Sequence, residues 1–206
     1  MEQVTLTRRQ INKAYKKSEK MHEKHKAYKR ASNIEFLIYI LIVLMIAFAI
    51  RLLIFEPVKV SGDSMTNTLL DAERMFVEKV SYCFTAPKRG DIVICYYPDE
   101  EDPSIPDDNT CVKRVIGLPG DEIEIYGGTT YINGEALDES QWIKEPMWED
   151  RVYPKTIVPE GHVFVMGDNR NYSKDSRNPM VGTIPIYRIV GRARSVIWPL
   201  DRYKEL

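Results

Sequence analysis

The chain has 206 residues, enough for one or two domains. Apolar residues make up 44% of it, with Val, Ile and Tyr abundant, which excludes an intrinsically disordered chain. The net charge of -1 hides an uneven distribution, because residues 1–33 hold ten Lys or Arg and three Glu. A basic N-terminal arm of this kind is typical of proteins that bind nucleic acid or a membrane surface.

The segment that follows the arm favours the membrane over nucleic acid. Residues 36–50, FLIYILIVLMIAFAI, carry no charge, and beyond Arg51 the apolar run continues to Phe55. A run of about 20 apolar residues is long enough to cross the hydrocarbon core of a bilayer. A buried core helix and a cleaved signal peptide are the alternatives, but a signal peptide normally has a much shorter basic region. We therefore predict an uncleaved transmembrane helix and no nucleic-acid partner.

The positive charge predicts how the chain crosses the membrane, because short segments rich in Lys and Arg stay on the cytoplasmic side. We expect a basic cytoplasmic arm at 1–33, a transmembrane helix at 34–55 and an extracytoplasmic domain at 56–206. Ser64 follows Phe55 by nine residues. An extended chain of that length reaches at most ~30 Å, so Ser64 is expected close to the bilayer.

The remainder of the chain shows mainly β signals. Short runs rich in β-branched and aromatic residues are separated by turn sequences, among them Asn133-Gly134, a strong two-residue hairpin signal. Pro98–Asn109 is rich in Asp, Glu and Pro and is predicted to be a solvated loop. The predicted strands are Arg74–Val80, Asp91–Tyr97, Thr110–Gly117, Asp121–Tyr126, Thr129–Ile132, Val152–Val158 and His162–Met166, with Gly182–Leu200 closing the sheet.

Ser64 is a candidate nucleophile in the polar run SGDSMTNTL at residues 61–69. A serine hydroxyl needs a base, and His162 is the one histidine beyond the predicted span. His162 opens an apolar strand, HVFVM, and is more simply a residue at the edge of a strand or in a turn.

Lys113 is the stronger candidate for the base. On a strand it shares one face with Cys111 and Val115, both apolar. A lysine held there loses hydration, which disfavours its ammonium form and leaves an amine that can accept a proton. The alternative is a solvated lysine whose stem covers apolar surface.

Two further groups of residues leave alternatives open. Residues 167–177, GDNRNYSKDSR, follow an apolar strand and fit either a buried hydrogen-bonded turn or an ordinary surface turn. The basic residues among them oppose a bound cation, so we expect no metal there. Cys95 and Cys111 lie in candidate neighbouring strands and could face each other, while with Cys83 they could equally be three reduced thiols. The chain has no CxxC pair that would indicate zinc.

Several stretches, in order, resemble the conserved boxes of type I bacterial signal peptidases. They are SGDSM at 61–65, RGDIV at 89–93, VKRVIGLPGD at 112–121, GDNRNYSKDSR at 167–177 and GRA at 191–193. The basic arm and the single N-terminal span fit the same family. The resemblance covers about residues 36–200.

The resemblance implies the fold class and the activity. The fold would be mainly β, with a single N-terminal transmembrane helix and an antiparallel β catalytic domain of the signal peptidase/self-cleaving repressor type. The activity would be that of a membrane-bound serine endopeptidase that needs no cofactor and removes signal peptides from exported preproteins. Its partners would be preproteins with small residues before the cut, the lipid bilayer and, by proximity, the secretion translocon.

The resemblance also implies roles for particular residues. Ser64 would be the nucleophile and Lys113 the general base, with the backbone of Gly62, Asp63 and Ser64 binding the oxyanion or the substrate. Ser173 would orient the Lys113 amine. The supporting residues would be the ion pair of Asp175 and Arg177 and, in the same turn, Asp168 and Arg170.

The sequence departs from the family pattern at two positions beside the nucleophile. Asn67 replaces a frequent Pro, and Gly62 stands where some members have a Ser that helps bind the oxyanion. Binding of the oxyanion would then depend more on backbone N–H groups. Two rival readings are a soluble self-cleaving repressor, disfavoured by the span, and a non-catalytic membrane-anchored assembly factor of the same fold for surface structures.

Overall fold

The long N-terminal helix is the first unit of the computed structural model, which describes residues 8–53, 55–97 and 110–206. The chain divides into two compact units between residues 50 and 51. Helix α1 spans Arg8–Leu53, and its segment Asn33–Ile50 has a mean hydropathy of 2.5 and no buried side chain. By length and composition this segment could cross a membrane. The basic arm is helical from Arg8, as its many Lys and Arg residues favour.

The helix ends earlier than the apolar run in the sequence. Phe55 already begins the first strand, where it pairs with Glu78. Pro57 lies within this strand and lacks an N–H group, which is tolerated because β1 is at the edge of its sheet. The sequence pattern missed this strand because Phe55 ends the apolar run and the next residues, EPVK, include a proline and two charged side chains. The boundaries predicted for the span stay a prediction.

The second unit is built from antiparallel strands in two sheets, which confirms the mainly β fold class. The strands are β1 Phe55–Lys59, β2 Arg74–Glu78, β3 Ile92–Tyr96, β4 Thr110–Gly117, β5 Glu122–Tyr126, β6 Thr129–Ile132, β7 Glu135–Ala136, β8 Tyr153–Ile157, β9 His162–Met166, β10 Ile184–Pro185, β11 Ile189–Trp198 and β12 Lys204–Glu205. A short helix α2 spans Ser81–Phe84, and 3-10 turns cover Ile186–Arg188 and Leu200–Arg202. The loop predicted at Pro98–Asn109 lies outside the described residues.

The order of the strands brings distant parts of the chain together. The larger sheet runs β1-β2-β11-β3-β4-β9-β10, with β12 beside β11, and the smaller one runs β7-β6-β5-β8. The predicted hairpin turn at Asn133-Gly134 joins β6 to β7, and both of its residues have positive φ, 53° and 84°, as that turn requires. Strand β4, which holds Lys113, therefore lies between β3 and β9.

Three apolar clusters hold the elements that surround the site. Met65 and Leu69 anchor the segment after Ser64 in one cluster, against Met75 and Val77 of β2. A second cluster lies on one face of β3, β4 and β9. A third joins the smaller sheet to the end of β9 through Phe164. At about 25 cal/mol per Å² of buried apolar surface, these clusters supply the main force that fixes the loops beside Ser64.

Candidate active site

Ser64 and Lys113, which are 49 positions apart in the sequence, meet at hydrogen-bond distance. Lys113 Nζ lies 2.8 Å from Ser64 Oγ and 3.1 Å from the carbonyl oxygen of Val112. The lysine is 3% exposed and the serine is partly buried. A serine hydroxyl beside a buried primary amine can transfer its proton to that amine if the amine is neutral.

The turn that holds Ser64 is fixed at both of its ends. On the near side, the Gly62 N–H donates to Asp71 Oδ1 at 2.9 Å, and Gly62 has a φ of +87° that suits glycine. On the far side, the carbonyl oxygen of Ser64 accepts a hydrogen bond of 3.0 Å from the backbone N–H of Asn169. Asn67, at the position where the family often has Pro, has a φ of +112°. Proline fixes φ near −65°, so the turn takes a shape here that proline cannot adopt.

Strand β4 places Lys113 as the alternation of its residues predicts. Lys113 lies opposite Val93 of β3, and Cys111 lies opposite Cys95. These neighbours and Val115 belong to one buried cluster. The amine is therefore surrounded by apolar side chains on the face where the sequence pattern placed it.

Gly167 brings the polar loop 167–177 against Ser64. A Cβ atom at this position would lie 2.3 Å from the carbonyl oxygen of Ser64 and 2.3 Å from Ser173 Oγ. No side chain fits in that gap, so the close approach depends on glycine. The Gly167 N–H also donates to Asp175 Oδ2 at 2.9 Å.

Asp175 and Arg177 form the ion pair that the family resemblance implies, with two hydrogen bonds of 2.8 Å. Burial by itself raises the pKa of Asp175, but the Arg177 guanidinium and the Gly167 N–H outweigh it, so the pKa lies below its ordinary value. The Ser173 hydroxyl contributes to the same lowering of the pKa. The pair therefore keeps a carboxylate ionised inside the protein, where it stiffens the loop.

Ser173 does not reach the lysine in this arrangement. Its hydroxyl oxygen is buried and makes no hydrogen bond of full geometry with any described residue, although it lies close to the Asp175 carboxylate. Any hydrogen bond from the Ser173 hydroxyl to the Asp175 carboxylate is therefore weak, because its geometry is poor. The orienting role of Ser173 toward Lys113 stays a prediction.

Asp168 and Arg170 have partners outside their own loop. Asp168 accepts two hydrogen bonds, of 2.8 and 2.7 Å, from Arg114, and both side chains are almost fully buried. Thr68 Oγ1 donates to the same carboxylate, which links Asp168 to the turn of Ser64. Arg170 Nη1 lies 2.5 Å from Glu139 Oε1, with both side chains again buried.

Sequence reasoning missed Arg114 and Glu139 as parts of this framework. A signal existed for Arg114, because a charged residue inside an apolar strand requires a partner if it is buried. The segment 137–139 gives no comparable signal for Glu139. His162 lies elsewhere, 3.1 Å from the carbonyl oxygen of Glu160.

A cleft of about 340 Å³ opens beside Ser64 and Lys113. Its walls come from residues 58–65 on one side and 110–113 on the other, with Tyr97 and Tyr172 also in contact. Both walls contain extended backbone, since 58–59 end β1 and 110–113 begin β4. The arrangement can hold an extended peptide with its carbonyl group near the hydroxyl of Ser64.

Comparisons with known proteins agree with one another. The family model described as "Signal peptidase, peptidase S26" matches residues 33–198. A probable signal peptidase I-1 of Synechocystis sp. is 37% identical over 168 residues, covering 81% of this chain and 83% of the relative. A signal peptidase I of Bacillus licheniformis is 38% identical over 192 residues, covering 90% and 99%. A crystal structure of a signal peptidase I from Enterococcus faecalis V583 is 29% identical, covers 52% of this chain and 97% of that one, and has a TM-score of 0.39.

Proposed function

The chain belongs to the signal peptidase family, peptidase S26, and from that premise we propose that it removes N-terminal signal peptides from exported preproteins with Ser64 as nucleophile and Lys113 as general base. The observation that supports this assignment is the 2.8 Å contact between Lys113 Nζ and Ser64 Oγ at one side of an open cleft. The alternative of a non-catalytic assembly factor gains nothing from these relatives, which are named as peptidases.

The reaction follows from the two side chains. Ser64 Oγ attacks the carbonyl carbon of the scissile bond while its proton passes to the neutral Lys113 amine. The resulting ammonium then gives that proton to the leaving amine, which leaves an acyl-enzyme on Ser64. Lys113, neutral again, takes a proton from a water molecule that hydrolyses the acyl-enzyme. Each proton transfer to Lys113 requires the amine in its neutral form.

The oxyanion of the tetrahedral intermediate would be bound by the backbone of the Ser64 turn. The Gly62 N–H already donates to Asp71, so it is not available for this purpose without breaking a hydrogen bond of 2.9 Å. We therefore assign the main donor to the Ser64 N–H and leave Gly62 and Asp63 as residues whose backbone lines the substrate path. Loss of one oxyanion donor typically costs about 10²–10³ in kcat.

Substrate would bind as an added strand between the two walls of the cleft. Residues 58–59 and 110–112 offer extended backbone at the two walls of the cleft. Val58, Ile94 and Val112 line the cleft and leave space for small apolar side chains. Preproteins with Ala at the first and third positions before the cut fit this description.

The helix would anchor the enzyme where such substrates emerge. Asn33–Ile50 would supply the apolar segment, and the Lys and Arg residues before it would keep the N-terminus in the cytoplasm. The β unit would then lie on the other side, near the bilayer and the translocon. Protease protection of the β unit in sealed inverted membrane vesicles would establish this orientation, and its digestion from the outer face would contradict it.

A preprotein cleavage assay on the full chain in lipid vesicles tests the dyad. We expect Ser64→Ala and Lys113→Ala to abolish cleavage, because each removes an atom that takes part in bond formation or proton transfer. Ser140→Ala and Lys144→Ala change the same residue types at exposed positions and serve as matched controls. Full activity in either dyad variant would rule out the assignment.

A further inference from the structure

Two cysteine thiols face each other across neighbouring strands beside the cleft. Cys95 of β3 and Cys111 of β4 are direct partners in the antiparallel register. Their Sγ atoms are 3.2 Å apart, and the residues are 0% and 6% exposed. Neither thiol has a part in the proposed cleavage reaction, so their juxtaposition calls for a separate explanation.

Cys111 lies on β4, the strand that also holds Lys113. Cys111 precedes Lys113 by two residues, shares its face and lines the cleft together with Ser64. Cys95 lies behind it and does not line the cleft. A reagent in the cleft therefore meets Cys111, whereas Cys95 is fully buried behind it.

We propose that Cys95 and Cys111 are a reversible dithiol–disulfide pair, in which Cys111 reacts with a disulfide oxidant and Cys95 resolves the product. Directly opposed residues of antiparallel strands have Cα atoms about 4.5–5.5 Å apart, within the range of about 4.4–6.8 Å found for disulfides. The sulfurs need to approach by only about 1 Å to reach a bond length of about 2.05 Å. Rotation of the two side chains supplies this movement, and the backbone of the strands can stay in place.

The surroundings of the two thiols suit these different roles. A hydrogen bond from Cys95 lowers the pKa of Cys111 against the opposing effect of burial, with further help from the Tyr97 hydroxyl. That hydrogen bond and full burial raise the pKa of Cys95. Since the thiolate is the attacking species, Cys111 is the thiol that reacts first, and Cys95 keeps its proton until the second step.

The exchange takes place in two balanced steps. The Cys111 thiolate attacks one sulfur of a small disulfide such as oxidised glutathione, forms a mixed disulfide and releases one thiolate. Cys95 then loses its proton and attacks the Cys111 sulfur, which forms the Cys95–Cys111 bond and releases the second thiolate. The protein loses two electrons and two protons, and the oxidant becomes two thiols.

The pair would protect the cleft from irreversible damage. A free thiol beside Lys113 can be alkylated or oxidised to an acid, and either group would occupy the space where substrate binds. A disulfide blocks both reactions and can be reversed by a reducing thiol. We expect cleavage by the oxidised enzyme to resist N-ethylmaleimide, and cleavage by the reduced enzyme to be lost on treatment.

The test uses the full chain in detergent with Cys83→Ser, since Cys83 is exposed and would react in every sample. After exposure to oxidised glutathione, we expect the mass to fall by two hydrogen atoms and no thiol to remain alkylatable after denaturation. Dithiothreitol should restore both thiols. Survival of both alkylatable thiols after prolonged exposure to the oxidant would overturn the proposal.

Single variants test the order of the steps. Cys95→Ser should accumulate a stable glutathione adduct on Cys111, whereas Cys111→Ser should form none in the folded state because Cys95 is buried. Faster adduct formation in Cys111→Ser than in Cys95→Ser would refute the assigned roles. Ser64→Ala should form the disulfide as readily as its parent, so this test succeeds or fails independently of the proposed peptidase mechanism.

Discussion

Replacing Gly167 by Ala should impair catalysis more than it impairs folding. The new methyl group would lie 2.3 Å from the carbonyl oxygen of Ser64 and 2.5 Å from Ser173 Cβ. Normal contacts between carbon and these atoms are well above 3 Å, so the two loops must separate by about 1 Å. The Ser64 carbonyl oxygen belongs to the nucleophile itself, and the displacement therefore reaches the reacting hydroxyl.

The expected loss of kcat in Gly167→Ala follows from this displacement. A misplacement of about 1 Å in a catalytic group can cost about 10²-fold in rate, and we expect a loss of this size in kcat. Overpacking of a buried site typically destabilises a protein by about 1–3 kcal/mol. The atoms that the new methyl group would approach most closely belong to Ser64 and Ser173 and not to the cleft walls at 58–62 and 110–112. Substrate binding should therefore be less affected than the reaction step, so KM should change much less than kcat.

Gly117→Ala is the matched control, because it introduces a similar steric clash at a position that does not contact Ser64. A Cβ atom there would lie 2.7 Å from Ile123 Cδ1 and 3.0 Å from Phe164 Cβ, inside the apolar cluster that joins the two sheets. This variant should lose a similar amount of unfolding free energy in urea but retain most of its kcat. The reasoning would be refuted if Gly167→Ala were folded with the kcat of the parent, or if both variants lost kcat in proportion to stability.

Three further predictions concern buried interactions. Arg114→Met leaves the buried carboxylate of Asp168 without its partner and should lower the unfolding free energy by about 3–5 kcal/mol in urea titrations, and a loss below 1 kcal/mol would contradict this. The pKa of Asp175 is depressed in the folded state, so its stabilisation is complete above the unfolded pKa of about 3.9 and is lost as pH falls through the lower folded value. Acid titration of stability should therefore be shallower for Asp175→Asn than for the parent, and equal slopes would count against the ion pair. The disulfide of Cys95 and Cys111 would close a loop of about 15 residues and should add about 3 kcal/mol to the unfolding free energy, whereas equal stability of the oxidised and reduced forms would show that it is strained.

Much of the fold could be predicted because its signals are local. The bounds predicted for β4, β6 and β9 match the structure, since alternation and turn residues depend only on neighbours in the sequence. Strand β1 was missed because its first residue ends the apolar run and its other residues include a proline and two charges, which give no strand signal. The two-residue strand β7 is too short to show a pattern of its own.

The candidate site was predictable as a set of residues but only partly as a set of contacts. The resemblance to type I signal peptidases identified Ser64, Lys113 and the loop 167–177 as site residues. In the structure these three parts of the chain lie next to one another. Arg170 donates to the carbonyl oxygen of Gly167 within the loop, but the ion-pair partners of Asp168 and Arg170 were not predicted. Arg114 and Glu139 supply them from a strand and a segment that are distant in the sequence.

The sequence by itself determined the apolar helix and the β character of the remainder, because composition and periodicity are properties of short segments. Its motifs, through their resemblance to a family, supplied the candidates for the reactive groups. Only the tertiary structure decided which groups touch. The order of the strands sets Cys95 opposite Cys111, the register of β4 directs Lys113 to Ser64, and a bare glycine allows the polar loop to reach the nucleophile. Such contacts join residues far apart in the chain, and their geometry depends on the packing of the whole β unit rather than on any one segment.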